Sequence, residues 1–286
     1  MAATHTREII APGLTLGLLS VVAVRTPTLP PATHTNAVVL GRRAVVVLDP
    51  ASPWDEEQQG LADALADVKV TAIFLSHHHL DHVGGAVDLA ARTGAPILAH
   101  PLTAARVDFP VDRLVHDGDI LDIDGAPWTA LHTPGHASGH LCLHQPDRRL
   151  IVAGDMVAGV GTIVLDPPEG QLAQYLDSLA RLRALSPALL LPAHGPAITE
   201  ADAILDYYIQ HRHQRSWQVT AALNAAEGPA RPEDLVPHIY GELSPLIAMV
   251  AARQVLCHLQ WLAERGLARL EGEVWSPAGS GVAPVL

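Results

Sequence analysis

Ser76-His77-His78-His79-Leu80-Asp81-His82 is the stretch on which the reading of this chain turns. It places His77, His79, Asp81 and His82 within one short turn. Imidazole and carboxylate are the ligands preferred by Zn²⁺ and similar borderline metals. Four such groups so close together can reach two adjacent ions. Just before them, Val70 to Leu75 reads as a buried strand. Just after them stand Gly84 and Gly85, expected to turn the backbone tightly and leave room for ions. The chain has 17 histidines, but the spacing His-x-His-x-Asp-His is far more restrictive than a histidine count. A metal site at the end of a buried strand is the first expectation. His78 is expected to face away, because neighbouring extended residues alternate faces.

Working outward, three later segments repeat this setting. Leu131-His132-Thr133-Pro134-Gly135-His136 ends an apolar stretch in a Pro-Gly turn. Leu150 to Gly154 is a buried-strand pattern that ends at Asp155. Leu189 to Leu191 leads through Pro192-Ala193 to His194. In layered α/β proteins, function collects where strands end. Seven candidate ligands result: His77, His79, Asp81, His82, His136, Asp155 and His194. His100 and His132 are read as core or supporting histidines.

The constellation resembles the metallo-β-lactamase superfamily. The matching pieces are His77-x-His79-x-Asp81-His82, Thr133-Pro134-Gly135-His136, Gly154-Asp155 and Ala193-His194-Gly195, in the family's order. The resemblance implies an αββα sandwich with the metals at one edge between two sheets. It implies that His77, His79 and His136 bind one metal, that Asp81, His82 and His194 bind the other, and that Asp155 bridges both. Within the superfamily, the chain looks most like glyoxalase II-like metallo-hydrolases that carry a C-terminal winged helix. Thr35-Asn36, Gly159-Val160-Gly161-Thr162 and Tyr208 to Arg212 support this, and make Asn36, Thr162 and Tyr208 candidate substrate contacts. Relatives often have an acidic residue where Val160 stands, so contacts there do not transfer.

At 286 residues, the chain can hold one large and one small domain. The expected division is 1–205, catalytic, and 206–286, winged-helix-like. Cys142 and Cys257 lie in apolar surroundings and far apart, and are read as reduced core residues. Leu14 to Val24 imitates a signal-peptide core but is too short to span a bilayer. It is read as the first hairpin, which places the protein in the cytoplasm and off the membrane. The net charge is −12 and Lys69 is the only lysine. That disfavours attraction to phosphate backbones.

Asn36 to Asp49 reads as a hairpin. Glu56 to Val68, Val87 to Arg92 and Gln171 to Leu185 read as helices. Pro96 to His100, Asp119 to Ile123 and Trp128 to His132 read as strands. Glu200 to Leu223 lacks Pro and Gly and is expected to form one long helix. Glu233 to Tyr240, Pro245 to Glu264 and a hairpin from Leu267 to Trp275 then give a winged-helix order. Such modules often enter DNA through the second helix. Residues 206–286, however, carry 6 Arg and no Lys against 8 acidic residues. The second helix offers only Arg253 and Arg265. Duplex DNA is therefore not expected as a partner, and the module is expected to cap the site or make a subunit contact, which leaves a homodimer open.

Two divalent ions can hold a water between them and lower its pKa to about 7. The expected activity is zinc-dependent hydrolysis by a metal-bridging hydroxide, with Asp81 and Asp155 balancing charge and orienting the nucleophile. Iron or manganese also suits these donors. Small esters, thioesters or lactones are the expected substrates. Cleavage of single-stranded RNA is the alternative, and an iron-dependent dioxygenase stays open behind it.

Overall fold

The run Ala44-Val-Val-Val-Leu48 is apolar throughout because both of its faces are covered. In the computed structural model, which describes residues 19–279, it forms β3 (Ala44–Leu48). Val45 and Val47 join a cluster with Leu61, Leu65 and Leu89. Val46 and Leu48 join another with Leu143, Val152 and Leu191. Side chains alternate along a strand, so five residues tie two cores together.

The first sheet runs β1 (Leu19–Arg25), β2 (His34–Leu40), β3, β4 (Lys69–Phe74), β5 (Ile97–Ala99), β6 (Arg113–Leu114) in spatial order. The pairs from β1 to β3 are antiparallel and those from β3 to β6 parallel. Its outer face is covered by α1 (Asp55–Ala64) and α3 (Ala86–Thr93). The second sheet runs β11 (Leu189–Pro192), β10 (Leu150–Gly154), β9 (Leu141–Gln145), β8 (Ala126–His132), β7 (Ile120–Ile123). Its outer face is covered by α5 (Leu172–Ala184) and α6 (Ala201–Ala225). Along β10, Leu150 and Val152 face the other sheet, while Ile151 and Ala153 face Tyr175 and Leu179. The architecture is the expected αββα sandwich. Phe74 is fully buried between the sheets, and its truncation to Ala would cost about 3–5 kcal/mol.

The remaining elements are α2 (Leu80–Val83), α4 (Pro101–Ala104), α7 (Pro232–Tyr240), α8 (Pro245–Glu264), β12 (Ala268–Glu271) and β13 (Val274–Pro277). The last four give the helix, helix, strand, turn, strand order of a winged helix. α8 is long and apolar enough to cross a bilayer, with mean hydropathy 1.3. It instead buries Val255, Leu259 and Leu262 in a cluster that also holds Tyr175 and Leu205. One core therefore runs from the second sheet into the winged helix, and a division at 205/206 falls inside the unbroken helix α6.

Some expectations shift. Of the expected hairpin at Leu14 to Val24, the part from Leu19 onward lies in β1, which pairs with β2; Leu14 to Leu18 fall outside the described residues. Helix α1 stops at Ala64 rather than Val68. The spacing around Gly84 and Gly85 serves packing, not ions. A Cβ on Gly84 would stand 2.7 Å from Ala51 O, and one on Gly85 2.6 Å from Pro50 O.

Candidate metal centre

Four strand ends from both sheets meet at one edge. β4 leads through Leu75 and Ser76 to His77, and His79 caps α2 in an extended conformation. One turn of α2 then supplies Asp81 and His82. β8 leads to His136, β10 to Asp155 and β11 to His194. All seven expected ligands converge here.

Six of them fall into two groups, and His77 and His82, one from each, also converge with Asp155. In the first, His77 Nε2 lies 2.9 Å from His79 Nδ1, and His136 Nε2 lies 3.2 and 3.0 Å from those two atoms. Zinc–nitrogen bonds of about 2.0–2.1 Å in a tetrahedron put nitrogens about 3.3 Å apart, so this spacing fits a shared cation. In the second, His194 Nε2 is 3.6 Å from Asp81 Oδ2, and His82 Nε2 is 4.0 Å from Asp81 Oδ1. Asp155 lies between the groups. Its Oδ2 is 3.4 Å from His136 Nε2, and its Oδ1 is 3.6 and 3.5 Å from His82 Nε2 and His194 Nε2. His82 Nε2 and Asp155 Oδ1 are buried without a hydrogen bond. Buried polar atoms without partners are costly, and a cation between them removes that cost.

Neighbouring groups aim the lone pairs inward. His136 Nδ1 donates to Val164 O at 2.8 Å, and His194 Nδ1 to His34 O at 2.9 Å. His82 Nδ1 donates to Asp49 Oδ2 at 2.9 Å. Ser76 Oγ donates to the same Asp49 oxygen at 2.6 Å and lies 3.0 Å from His77 Nδ1, whose proton it accepts. In all four rings Nε2 is left as the free acceptor, the tautomer a metal ligand needs. His140 works beneath Asp155. Its Nε2 accepts the Asp155 backbone N–H at 3.1 Å while Nδ1 donates to Thr133 Oγ1 at 2.8 Å. Gly154 stays a glycine for the same reason: at φ +50, its Cβ would lie 2.5 Å from His140 Nε2.

Charge follows the same plan. Burial, then the neighbouring rings of His82, His79 and His136, hold His77 well below the usual histidine range. Burial and His136 bring His79 down to about 2, and burial brings His140 to about 3. All three rings are neutral, which leaves His77 and His79 able to ligate. Burial also works against a charged His82, but the carboxylates of Asp155 and Asp49 outweigh it and raise its pKa well above the ordinary value. Burial would likewise raise Asp155, yet His82, His136 and His194 hold it well below the carboxylate range. Positive charge is thus stabilised beside Asp155, whether as a proton on His82 or as a divalent ion.

Asp49, Ser76 as a hydrogen-bonding group, and His140 were not among the expected site residues. Asp49 follows the apolar strand β3 as Asp155 follows β10, so the strand-end signal was there to be read. His78 faces away from the cluster, its Nε2 3.2 Å from Glu169 Oε2. His100 and His132 stack on each other with centroids 4.2 Å apart, and His132 Nε2 meets Ser138 O. Cys142 and Cys257 are free and buried, and burial pushes their thiols up to about 12 and about 11.

Two of the expected substrate contacts have partners within the fold. Asn36 Nδ2 donates to Pro192 O and Gly195 O at 2.9 and 2.8 Å, so both its N–H groups hold the turn that presents His194. Tyr208 is only 5% exposed, and its hydroxyl accepts from Ala158 N–H. It supports the loop after Asp155 from behind. Thr162 is exposed in that loop.

Comparison with known proteins bears on this geometry. Residues 30–194 match the metallo-beta-lactamase superfamily and residues 232–281 the beta-lactamase associated winged helix domain. The chain is 31% identical over 222 residues to the lactamase-like protein aptB of Emericella nidulans, covering 74% of this chain and 69% of that one. It is 30% identical over 216 residues to an atrochrysone carboxyl ACP thioesterase of Aspergillus chevalieri, covering 72% of this chain and 68% of that one. A beta-lactamase domain protein from Burkholderia ambifaria shares the fold, with TM-score 0.83 and 20% identity over 97% of this chain and 95% of that one. With the family matched over the sandwich and the winged helix matched beyond it, this chain belongs to the metallo-β-lactamase superfamily.

Proposed function

We propose that this chain is a dinuclear metal hydrolase that cleaves acyl thioesters. One observation carries the dinuclear reading: the two oxygens of Asp155 face different ligand groups, Oδ2 toward His136 and Oδ1 toward His82 and His194. A carboxylate so placed would join two cations. His77, His79 and His136 would hold one, and Asp81, His82 and His194 the other. Histidine and aspartate donors suit zinc, and iron or manganese satisfy them too. When bound, such cations acidify a coordinated water and act as Lewis acids toward the electrophilic oxygen.

The chain's own groups do the rest. His140 holds the Asp155 backbone N–H and so fixes where the chain presents that carboxylate. Asp81 has the more exposed side chain of the two carboxylates in the cluster, at 18% against 10%, and is the group placed to hold a proton taken from the attacking water. Three points support a thioester. The Aspergillus chevalieri relative carries the name of an ACP thioesterase. A thiol ionises near pH 8.5, so a thiolate leaving group asks little of a proton donor. Lys69, the only lysine, begins β4 at the end opposite the ligand turn, so it does not serve a phosphodiester backbone at the site.

The test is a side-by-side assay of the zinc-loaded chain on an acyl-pantetheine thioester, a p-nitrophenyl ester and single-stranded RNA. The expected result is the highest kcat/KM on the thioester. RNA cleavage with no thioester turnover would overturn the substrate class.

A further inference from the structure

The segment Ile163 to Gly170 alternates between two partners. Ile163 O accepts from Arg212 Nη2 of α6 at 2.5 Å. Both backbone groups of Leu165 are taken by Gln254 of α8, at 3.1 and 2.9 Å. Arg253 of α8 binds the Asp166 carboxylate and Pro167 O. Cys257 of α8 lies 3.6 Å from Gly170 O. Between these holds, two residues reach the other way. Val164 O accepts from His136 Nδ1. Glu169 Oε1 accepts from Ser138 N and Oγ, each at 2.9 Å, with Arg106 Nε 3.4 Å away. Glu169 Oε2 stands 3.2 Å from His78 Nε2.

Glu169 therefore ties together two ligand turns. Ser138 lies two residues after His136, and His78 lies between His77 and His79. The ligands nearest these holds, His77, His79 and His136, belong to one group, while the turn that carries His77 and His79 goes on to Asp81 and His82 of the other. Among the described residues, no hydrogen bond or ion pair joins 163–170 to Asp81, His82 or His194. Glu169 and His78 with His79 could themselves be taken for a cation site. The Glu169 oxygens are, however, already engaged by Ser138, Arg106 and His78.

We propose that residues 163–170 are a strap through which α6 and α8 set the metal affinity of the His77/His79/His136 site, with Glu169 as its positioning residue. The proposal rests on the dinuclear reading above. Groups that orient metal ligands commonly carry about 10–100-fold in affinity. Here the orienting groups are themselves held in place from the winged-helix side.

The experiment is zinc binding by the full chain, measured by competition with a chromophoric chelator, with cobalt(II) absorption as a second readout. Glu169→Ala should weaken one of two binding steps by about 10–100-fold and leave the other. Glu169→Gln keeps an oxygen for Ser138 and should stay within about threefold of the parent chain. Gln254→Ala, made on α8 away from every ligand, should weaken the same step by about tenfold. Ser216→Ala removes a bond to His258 at 2.8 Å and one to Arg212 O at 3.1 Å, leaves the Arg212 guanidinium on Ile163 O, and should change neither step. If Glu169→Ala does not fold, Gln254→Ala and Ser216→Ala decide. The proposal is overturned if Gln254→Ala keeps both steps at parental affinity, or if Ser216→Ala weakens the same step as much. A parent chain with two steps and unresponsive variants leaves the dinuclear reading standing; a parent chain with one step removes that reading itself.

Discussion

Asp49 is the residue whose loss should be felt at both ligand groups. It is buried at 3% exposure and takes three donors: Ser76 N at 2.7 Å, Ser76 Oγ at 2.6 Å and His82 Nδ1 at 2.9 Å. Through Ser76 it orients His77, of one ligand group, and directly it orients His82, of the other. Asp49→Asn is the informative change. The backbone there has φ 48, a left-handed conformation that Asn tolerates as Asp does, so strain does not confuse the result. An amide has one oxygen where the carboxylate had two, and at least one buried donor is stranded. That costs about 1–3 kcal/mol. The bonds that remain also lose their charge assistance, which roughly halves them. If about 1.4–2.8 kcal/mol of this falls on ligand orientation, zinc affinity drops about 10–100-fold. Chelator competition on the purified variant, beside a thermal melt of the metal-free form, measures both parts. Parental affinity at both steps, or a loss confined to one step, would refute the reasoning.

Asp155→Ala should lose about 100-fold or more activity relative to His78→Ala, because Asp155 faces both groups and His78 neither; equal losses in kcat/KM would show that the turn has been misread. His258 lies outside the ligand cluster, and burial, then Arg212 and Arg215, hold its pKa well below 6.5. Its stabilising contribution is complete above the unfolded value near 6.5 and is lost as pH falls, at about 1.4 kcal/mol per pH unit. Denaturant unfolding of the parent chain should therefore weaken more steeply below pH 6.5 than that of His258→Gln, and parallel slopes would contradict this. A gel shift with random duplex DNA at physiological salt should show nothing tighter than about 10⁻⁴ to 10⁻⁶ M; a nanomolar complex would show that the surface charge was misjudged.

The ligands were legible because each closely follows an apolar strand, and strands announce themselves in short hydrophobic runs. β4, β10 and β11 each end within two or three residues of a ligand. The partners of the supporting groups were not legible, because they act across the fold. Asp49 meets Ser76 over 27 positions and Glu169 meets Ser138 over 31. No local spacing records such a pair. Tyr208 was misread for a different reason. Leu205, Tyr208, Arg212, Ser216 and Val219 recur every three or four residues and form the buried stripe of α6. That period marks Tyr208 as a packing residue. β9 escaped because its apolar run, Leu141-Cys142-Leu143, stops after three residues at His144 and Gln145, although both are paired in the folded sheet.

Titration of the metal-free chain with zinc, with acyl-thioester hydrolysis followed at each addition, tests the central claim most directly. Two ions should bind per chain, with hydrolysis rising to a plateau at the second equivalent. Saturation at one ion or fewer, or full activity with a chelator in excess, would contradict it.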